Sequence, residues 1–178
     1  LIKPKKMLNY AIALMLGLAL PALVIFLRNF FNTKVLSNDD IESVTKLPMV
    51  GHIFFNDDKD KTPTPVLDKP NSPATEPYRG LRNKLNLMTK GKEKPVIAVT
   101  STEPGEGKSY TAFNVASSFA LTKKKTILLD LDLRNSRFKQ VLNLETDLGV
   151  VDYIMGEATC EEMICKTKHP FLDIITAG

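Results

Sequence analysis

A glycine-rich stretch, STEPGEGKS at residues 101–109, contains the residue types that hold phosphate groups. In such a loop, consecutive backbone N–H groups surround the phosphates and the following helix contributes the positive end of its dipole. A lysine placed like Lys108 reaches the β- and γ-phosphates, and a hydroxyl placed like that of Ser109 ligates Mg²⁺. Gly105 and Gly107 permit backbone conformations that a Cβ would block. The stretch predicts a nucleotide site; the alternative is an ordinary joint between a strand and a helix.

Two acidic residues form the second candidate group. Asp130 and Asp132 follow the apolar run 127–129, and alternate residues of an extended chain point the same way. Ligands of a parallel sheet bind beyond the carboxyl ends of its strands, which places both carboxylates beside the phosphate loop. There they can hold Mg²⁺ or accept a proton from an attacking nucleophile. The alternative is a strand end with solvated acids and an arginine partner.

The elements that must position these groups alternate along the chain. Short β-branched runs predict strands, and amphipathic segments predict helices. The expected strands are 96–100, 126–130 and 172–176, and the expected helices are 76–88, 108–121, 136–142, 149–155 and 161–166. This alternation predicts an α/β fold with a mostly parallel sheet flanked by helices.

The N-terminal region has a different composition. Residues 7–27 contain no charged residue and are long enough to cross a bilayer as one helix. A secretory signal peptide is the alternative, but the apolar stretch is longer than usual and no small-residue cleavage site follows it. Because a nucleotide loop is useful only where ATP is abundant, we expect the residues after Leu27 to be cytoplasmic.

The segment between the apolar helix and the phosphate loop contains turn-forming and proline-rich stretches. A short helix is expected from Ser37 and a short strand at 47–53. Residues 56–77 are charged, poor in large apolar residues and repeatedly interrupted by proline. This composition predicts an extended, weakly ordered linker.

Charge and cysteine usage exclude several classes of function. The net charge is +4 over 178 residues and is spread along the chain, so nucleic-acid binding is not indicated. Cys160 and Cys165 are too few for a disulfide framework, and no histidine cluster accompanies them to suggest a metal site.

The two motifs together resemble those of a known family. STEPGEGKS and ILLDLDLR are similar to the Walker A and Walker A′ motifs of bacterial tyrosine kinases, the cytoplasmic kinase domains of capsular and exopolysaccharide co-polymerases. The resemblance continues through residues 134–138, 148–157 and 172–178 and covers nearly the whole chain. Glu103 is kinase-like, because related partition and septum-site ATPases carry a signature lysine there. Thr102 and Tyr110 depart from the general pattern, which has Gly and commonly Thr at these positions.

This resemblance implies a P-loop NTPase fold that uses ATP and Mg²⁺. Its motif positions imply nucleotide contacts by seven consecutive residues: Pro104, Gly105, Glu106, Gly107, Lys108, Ser109 and Tyr110. Catalytic roles fall on Lys108, Asp130 and Asp132, and metal binding on Ser109, Asp130 and Asp132.

A third motif concerns assembly. Glu76, Arg79 and Arg82 match the E-x-x-R-x-x-R pattern with which such kinases form a ring of subunits. Positions spaced in this way lie on one face of a helix, where an acid and two guanidinium groups can engage a neighbour. A solvated helix face is the alternative.

The resemblance also implies segments outside this chain. A Walker B strand and a tyrosine-rich tail would follow Gly178, and an extracytoplasmic region would precede Leu1, so we expect a fragment that is inactive by itself. The expected divisions are 1–6 for the end of the extracytoplasmic region, 7–27 for the transmembrane helix, 28–77 for the juxtamembrane segment and linker, and 78–178 for the N-terminal part of the kinase domain.

The implied function is ATP-dependent tyrosine phosphorylation that regulates polysaccharide chain length and export at the bacterial inner membrane. The implied partners are the membrane, a homo-oligomeric ring, the tyrosine tail of a neighbouring subunit and the polysaccharide export machinery. Two alternatives remain: a membrane-tethered ATPase switch, and a co-polymerase scaffold whose nucleotide domain has lost its kinase activity.

Overall fold

The computed structural model describes residues 6–31, 38–54, 62–133, 138–142, 144 and 146–178. These form two compact units, Leu1–Met49 and Val50–Gly178. The helices are α1 (Lys6–Phe30), α2 (Asn38–Val44), α3 (Pro65–Asp68), one turn of 3₁₀ helix (Pro73–Thr75), α4 (Glu76–Met88), α5 (Lys108–Ala120), α6 (Phe138–Leu142) and α7 (Val150–Met155). The strands are β1 (Thr126–Leu129), β2 (Cys165–Lys166) and β3 (Leu172–Ile175).

The first unit contains α1, which includes the whole predicted span 7–27. It has 25 residues and a mean hydropathy of 2.5 in its most apolar window, so its length and composition suit a membrane crossing. The helix continues through Pro21, and none of its residues is buried. The short helix expected after it is α2, which begins at Asn38; Ser37 lies outside the described residues.

The sheet of the second unit has the strand order β1-β3-β2. The strands β1 and β3 are parallel, with Thr126 opposite Leu172 and Leu129 opposite Ile175. The strand β2 is antiparallel to β3, with Cys165 opposite Ile174. Within the described residues the sheet is therefore small and mixed, whereas the sequence predicts a larger and mostly parallel one.

Helix α5 is the centre of the second unit, because hydrophobic residues pack on two of its faces. One face carries Phe113, Ala116 and Ala120, which pack with Phe138 and with Leu172 and Ile174 of β3. The other face contributes Val115 to a cluster with Val66 and Tyr78, which Leu81, Leu85, Tyr110 and Phe119 complete. Burial on both faces fixes the direction of α5 and hence the position of the loop that precedes it.

Several predicted elements are confirmed. Helix α4 has the expected bounds, with Pro77 in its first turn, and α5 ends one residue before the expected Leu121. The strands β1 and β3 each end one residue early, and α7 starts one residue after the expected Gly149. The described part of the helix expected at 136–142 is α6, and residues 134–137 lie outside the described residues.

The strand expected at 96–100 is not formed. A strand is held by hydrogen bonds to a neighbour, and no strand of the described residues pairs with this segment. The Val96 side chain is 96% exposed, so burial does not hold the apolar run in place either. The prediction of a strand at 47–53 is wrong for the same reason, since no described strand pairs with this segment.

The prediction of a helix at 161–166 is also wrong. Residues 160–163 form a turn, and Cys165–Lys166 is β2. Pairing with β3 supplies backbone hydrogen bonds instead, and Lys166 Nζ lies 2.7 Å from Asp173 Oδ2 across the pair.

The described part of the expected linker 56–77 is ordered. Residues 62–77 contain α3 and the 3₁₀ turn, each with a proline at its first or second position. Val66 and Thr75 are 2% and 1% exposed. Both prolines therefore begin helical turns: α3 packs on α5, and the 3₁₀ turn packs on α3 and α4, a role that composition alone does not reveal.

Candidate functional site

The phosphate loop runs into the N-terminus of α5 through two glycines with left-handed backbones. Gly105 has φ of 91° and Gly107 has φ of 88°, a region that residues with a Cβ rarely adopt. Gly107 caps α5, and its carbonyl accepts the first hydrogen bond of the helix, from the Thr111 N–H at 2.8 Å. The predicted glycine positions are thus those at which the backbone requires glycine.

A carboxylate from the loop itself braces the start of the loop. Glu106 Oε2 accepts hydrogen bonds from the backbone N–H groups of Thr102 at 3.0 Å and Glu103 at 3.2 Å. The Ser101 hydroxyl donates to the Glu103 carbonyl at 3.1 Å. Hydrogen bonds from backbone N–H groups to a carboxylate are among the stronger ones in proteins, so Glu106 helps to fix the shape of the loop.

The loop lysine is paired with one of the candidate acids. Lys108 Nζ lies 2.9 Å from Asp132 Oδ2, and the two side chains are 34% and 29% exposed. The two residues are 24 positions apart and are brought together because α5 starts, and β1 ends, at the same edge of the unit. The structure thereby confirms the expected proximity of the phosphate loop and the acidic pair.

The two aspartates differ in their surroundings. Asp130 is 5% exposed, and its N–H donates to the Ile175 carbonyl of β3 at 2.9 Å. Its Oδ1 accepts the Asp132 N–H at 3.1 Å, which closes the turn after β1. Asp130 therefore holds the turn, and Asp132 presents its carboxylate to the loop.

The remaining predicted contact residues surround the loop in different ways. Pro104 is exposed, and Ser109 is half-buried in the first turn of α5. Tyr110 packs edge-to-face on Tyr78, with the ring centroids 6.4 Å apart. Burial raises the pKa of the Tyr78 phenol, and the neighbouring Tyr110 raises it further. The Tyr110 ring thus belongs to the hydrophobic contact between α4 and α5.

A buried residue that the sequence analysis does not single out connects the site to the proline-rich segment. Asn114 is fully buried in α5. Its Oδ1 accepts the Val66 N–H at 3.2 Å, and its Nδ2 donates to the Tyr110 carbonyl at 2.9 Å and the Pro63 carbonyl at 3.3 Å. Its neighbours one helical turn away include Thr111, Ser117 and Ser118, so the sequence offers no contrast that would mark Asn114 as buried.

The oxygen donors of the site suit a hard cation. Carboxylate and hydroxyl oxygens are the ligands that Mg²⁺ prefers, and the candidates are Asp130, Asp132 and Ser109. Among the described residues no group of three or more histidine, cysteine or acidic side chains forms a metal site on its own. The donor chemistry fits Mg²⁺ bound mainly through nucleotide phosphates and one or two protein ligands.

The predicted assembly motif makes contacts within the chain. Arg79 donates to Glu76 Oε1 at 2.7 Å and to the Pro70 carbonyl at 2.7 Å. Arg82 donates to the Ser118 carbonyl of α5 at 3.1 Å. Glu76 and Arg79 keep side-chain exposures of 63% and 39%. The face is thus partly open to a neighbour, while Arg82 also links α4 to α5.

Comparison with curated proteins gives several relatives that are named as tyrosine-protein kinases. The tyrosine-protein kinase Ptk of Acinetobacter johnsonii is 27% identical over 99% of this chain. The tyrosine-protein kinase CpsD of Streptococcus agalactiae is 37% identical over 52% of the chain. The chain is thus similar to bacterial proteins named as tyrosine-protein kinases. The succinoglycan biosynthesis transport protein ExoP of Rhizobium meliloti is also similar, with 34% identity over 64% of the chain. No protein-family model matches.

Two solved structures are similar in fold to this chain. The chimerical protein CapA2B2 matches with a TM-score of 0.70 and 30% identity, over 80% of this chain and 60% of that one. The kinase domain of the Escherichia coli tyrosine kinase ETK matches with a TM-score of 0.72 over 80% of this chain and 59% of that one. At 20% identity the ETK match concerns the fold alone.

This chain spans less than half the length of each of these curated relatives. It covers 26% of Ptk, 41% of CpsD and 14% of ExoP. Their names therefore describe proteins longer than the aligned region.

Proposed function

We propose that this chain is the membrane-anchored, nucleotide-binding part of an ATP-dependent protein tyrosine kinase that regulates capsular polysaccharide or exopolysaccharide assembly. One observation carries the proposal: the loop lysine Lys108 lies 2.9 Å from Asp132, directly after a loop with two left-handed glycines. This arrangement combines donors for phosphate with an acid at the place where phosphoryl transfer needs both. The names of Ptk, CpsD and ExoP support the reaction and its biological setting.

The phosphate loop supplies the nucleotide contacts in this proposal. Backbone N–H groups of residues 105–110 surround the phosphates, and the N-terminus of the 13-residue helix α5 adds its dipole. Lys108 offsets the charge of the transferred phosphoryl group, and Ser109 places its hydroxyl at the metal. ATP supplies the γ-phosphoryl group, and Mg²⁺ offsets the negative charge that collects on it.

The different surroundings of the two aspartates favour different roles. Asp132 is partly exposed and faces the loop, so it is the better candidate to accept the proton of an attacking tyrosine hydroxyl or to hold the cation. Asp130 is buried and holds the Asp132 backbone in place. We propose Asp130 chiefly as the residue that positions Asp132, with metal binding as a second role of its carboxylate.

Membrane attachment and assembly complete the proposal. Helix α1 anchors the chain in the bacterial inner membrane, with the second unit in the cytoplasm. The exposed face formed by Glu76, Arg79 and Arg82 contacts the next subunit of a ring, whose tyrosine tail receives the phosphate. The exposure of Glu76 and Arg79 leaves this face available to such a neighbour.

A phosphotransfer assay on the complete gene product tests the kinase function. Wild-type protein in membranes should incorporate phosphate from ATP into tyrosine, and Lys108→Met should abolish the incorporation. Lys92→Met, at an exposed position outside the loop, is the matched control and should behave like wild type. Tyrosine phosphorylation that survives Lys108→Met would overturn the assignment. If the wild-type protein hydrolyses ATP but forms no phosphotyrosine, it is the membrane-tethered ATPase switch. If it shows neither activity, it is the co-polymerase scaffold.

A further inference from the structure

Two lysine-rich turns lie together at one end of the second unit. Arg82 of α4 donates to the Ser118 carbonyl of α5 at 3.1 Å. Further along both segments, Lys124 Nζ lies 2.9 Å from Asn86 Oδ1. The helices α4 and α5 therefore run side by side in the same direction, and the turns that follow them are neighbours. The lysine surface, as we call it, consists of the exposed lysines of these turns: Lys90, Lys92, Lys94, Lys123, Lys124 and Lys125.

The positive charge of the lysine surface exceeds what the fold requires. A lysine after a helix offsets the negative end of the helix dipole, which corresponds to about half an elementary charge. The two helix ends thus account for about one of the six positive charges. Within residues 89–94 and 121–126, Glu93 is the single acid. On the sheet, Asp173 lies opposite Ile127 and is already paired with Lys166 at 2.7 Å.

One of these lysines is held in a backbone conformation that favours glycine. Lys123 has φ of 62°, the single positive value of a residue other than glycine among the described residues. This conformation is unfavourable for a residue with a Cβ, and glycine usually occupies it at the end of a helix. A residue kept in an unfavourable conformation is a reason to look for a function, and here the residue adds a charge to the surface.

Exposed apolar side chains border the lysine surface. Leu87 and Met88, in the last turn of α4, are 72% and 58% exposed. Lysines beside exposed apolar side chains are typical of surfaces that lie on an anionic bilayer. Proteins that bind single-stranded nucleic acid combine basic with aromatic side chains, and residues 84–94 and 121–126 contain no aromatic residue. The chemistry of the surface therefore favours lipid headgroups.

We propose that the lysine surface, with Leu87 and Met88 beside it, docks the second unit on the anionic lipid headgroups of the membrane that holds α1. The inference rests on the proposed attachment through α1 and not on the kinase activity. Because both units belong to one chain, an anchored α1 raises the local concentration of headgroups around the second unit. Lysines near an anionic bilayer attract it individually, and their contributions accumulate over the surface.

The lysine surface is separate from the proposed nucleotide site. The phosphate loop precedes Lys108, the first residue of α5, and the second lysine-rich turn follows Ala120, its last residue. A helix of 13 residues is about 20 Å long, so the two sites lie at opposite ends of α5. Substitutions in the lysine surface can therefore be judged without an effect on the phosphate loop.

A fluorescent reporter on the surface tests the docking. The full chain with Cys160→Ser, Cys165→Ser and Leu87→Cys is labelled with the environment-sensitive fluorophore NBD. It is placed in nanodiscs of phosphatidylcholine or of an equal mixture of phosphatidylcholine and phosphatidylglycerol. The emission should shift to shorter wavelength in the anionic nanodiscs alone, and high salt should reverse the shift because it screens the attraction. An emission that is the same in both kinds of nanodisc would overturn the proposal.

Charge variants locate the attraction on the lysine surface. Lys90→Gln with Lys125→Gln leaves the contact between Lys124 and Asn86 in place and should lower the ratio of docked to free units about thirtyfold. The matched control is Lys69→Gln with Lys139→Gln, which removes the same charge from α6 and from the residue after α3. The control should keep the wild-type shift. Equal losses in the two double variants would mean that overall charge, and not this surface, attracts the lipid.

A measurement on the wild-type chain needs neither a label nor a variant. Acetylation of Lys123 and Lys125 by a water-soluble amine reagent, followed by mass spectrometry, should be several-fold slower in the anionic nanodiscs, because docking covers both amines. Equal rates in the two kinds of nanodisc would contradict the docking.

The remaining outcomes separate this proposal from others. A chain that does not co-migrate with nanodiscs would overturn the attachment through α1, and the docking with it. A reporter that responds to added RNA but not to anionic nanodiscs would overturn the docking and identify a nucleic-acid partner. Lys108→Met should dock like wild type, so failure of the kinase function and failure of the docking are measured separately.

Discussion

The side-chain amide of Asn114 in α5 accepts the backbone N–H of Val66 in α3 at a distance of 3.2 Å. The same amide donates to the Tyr110 carbonyl within α5 and to the Pro63 carbonyl. One buried side chain thus connects the proline-rich segment before α4 to the helix that begins with Lys108. Through this contact the segment is a structural part of the second unit.

Replacement of Asn114 should therefore destabilise the second unit. Asn114→Ala leaves the buried Val66 N–H without its acceptor and creates a small cavity, which together should lower the free energy of unfolding by about 3 kcal/mol. Urea unfolding of the chain in detergent, followed by circular dichroism, measures the loss. Asn83→Ala, at an exposed position of α4 where only an exposed contact with the adjacent Arg82 is lost, is the control and should change stability by less than about 0.5 kcal/mol. Equal effects of the two substitutions would contradict the proposed connection.

Gly149 should tolerate no side chain. An added Cβ would lie 2.2 Å from the Gly178 nitrogen and 2.5 Å from the Thr176 carbonyl oxygen, both backbone atoms. These atoms cannot move freely, because the Val150 and Val151 N–H groups are bonded to the same segment. We expect Gly149→Ala to cost about 2 kcal/mol or more of unfolding free energy.

Replacement of Gly80 by alanine should have the opposite effect on stability to replacement of Gly149 by alanine. It lies inside α4 and has open space around the Cβ position. Gly80→Ala should stabilise the chain by roughly 0.5–1 kcal/mol through helix propensity. Thermal unfolding of both variants checks the pair. A neutral Gly149→Ala would show that α7 does not pack as closely as described.

Substitutions of Glu76 and Arg82 should differ in their effect on the free energy of unfolding but agree in their effect on assembly. Arg82→Ala removes the bond to the Ser118 carbonyl and should lower the free energy of unfolding by about 1 kcal/mol. Glu76→Gln loses only an exposed pair with Arg79 and should cost less than about 0.5 kcal/mol. If the proposed ring forms, both variants should nevertheless reduce its mass in light scattering of the complete gene product. An unchanged mass for Glu76→Gln together with Arg79→Ala would contradict the ring.

The two cysteines should differ in reactivity and in its pH dependence. Cys160 is exposed, whereas Cys165 is half-buried in β2. Burial raises the pKa of the Cys165 thiol, and a hydrogen bond with Thr146 only partly opposes this. A thiol with a raised pKa has less thiolate at pH 8, so Cys165 should react several-fold more slowly with iodoacetamide than Cys160. The alkylation rate of Cys165 should still be rising near pH 10, where the rate of a thiol with an ordinary pKa has levelled off.

Single variants assign the two rates. Cys160→Ser leaves only the slow site, and Cys165→Ser leaves only the fast one. Mass spectrometry of the alkylated chain gives each rate between pH 7 and about pH 10, the range over which cysteine thiols titrate. Equal rates at every pH would mean that Cys165 is not shielded by β2 and its surroundings.

Local sequence patterns were sufficient where short-range physics determines the structure. The glycines of the phosphate loop are needed where φ is positive, and the bounds of α4 follow from Pro77 and an apolar stripe. The nearness of Lys108 to the acidic pair was also predictable, because loops at the carboxyl ends of strands meet at one edge of a sheet.

Tertiary structure decided what depends on partners distant in the chain. Residues 165–166 form a strand because β3 offers a ladder partner, and residues 96–100 form none because the described residues offer them no partner. Pro65 begins a buried turn because Asn114 and its neighbours in α5 give α3 a surface to pack on. Pairing, burial and ion-pair geometry are long-range quantities, and residue type and spacing along the chain do not contain them. The sequence by itself determined the phosphate loop and its candidate chemistry; the tertiary structure decided that Lys108 and Asp132 hold each other.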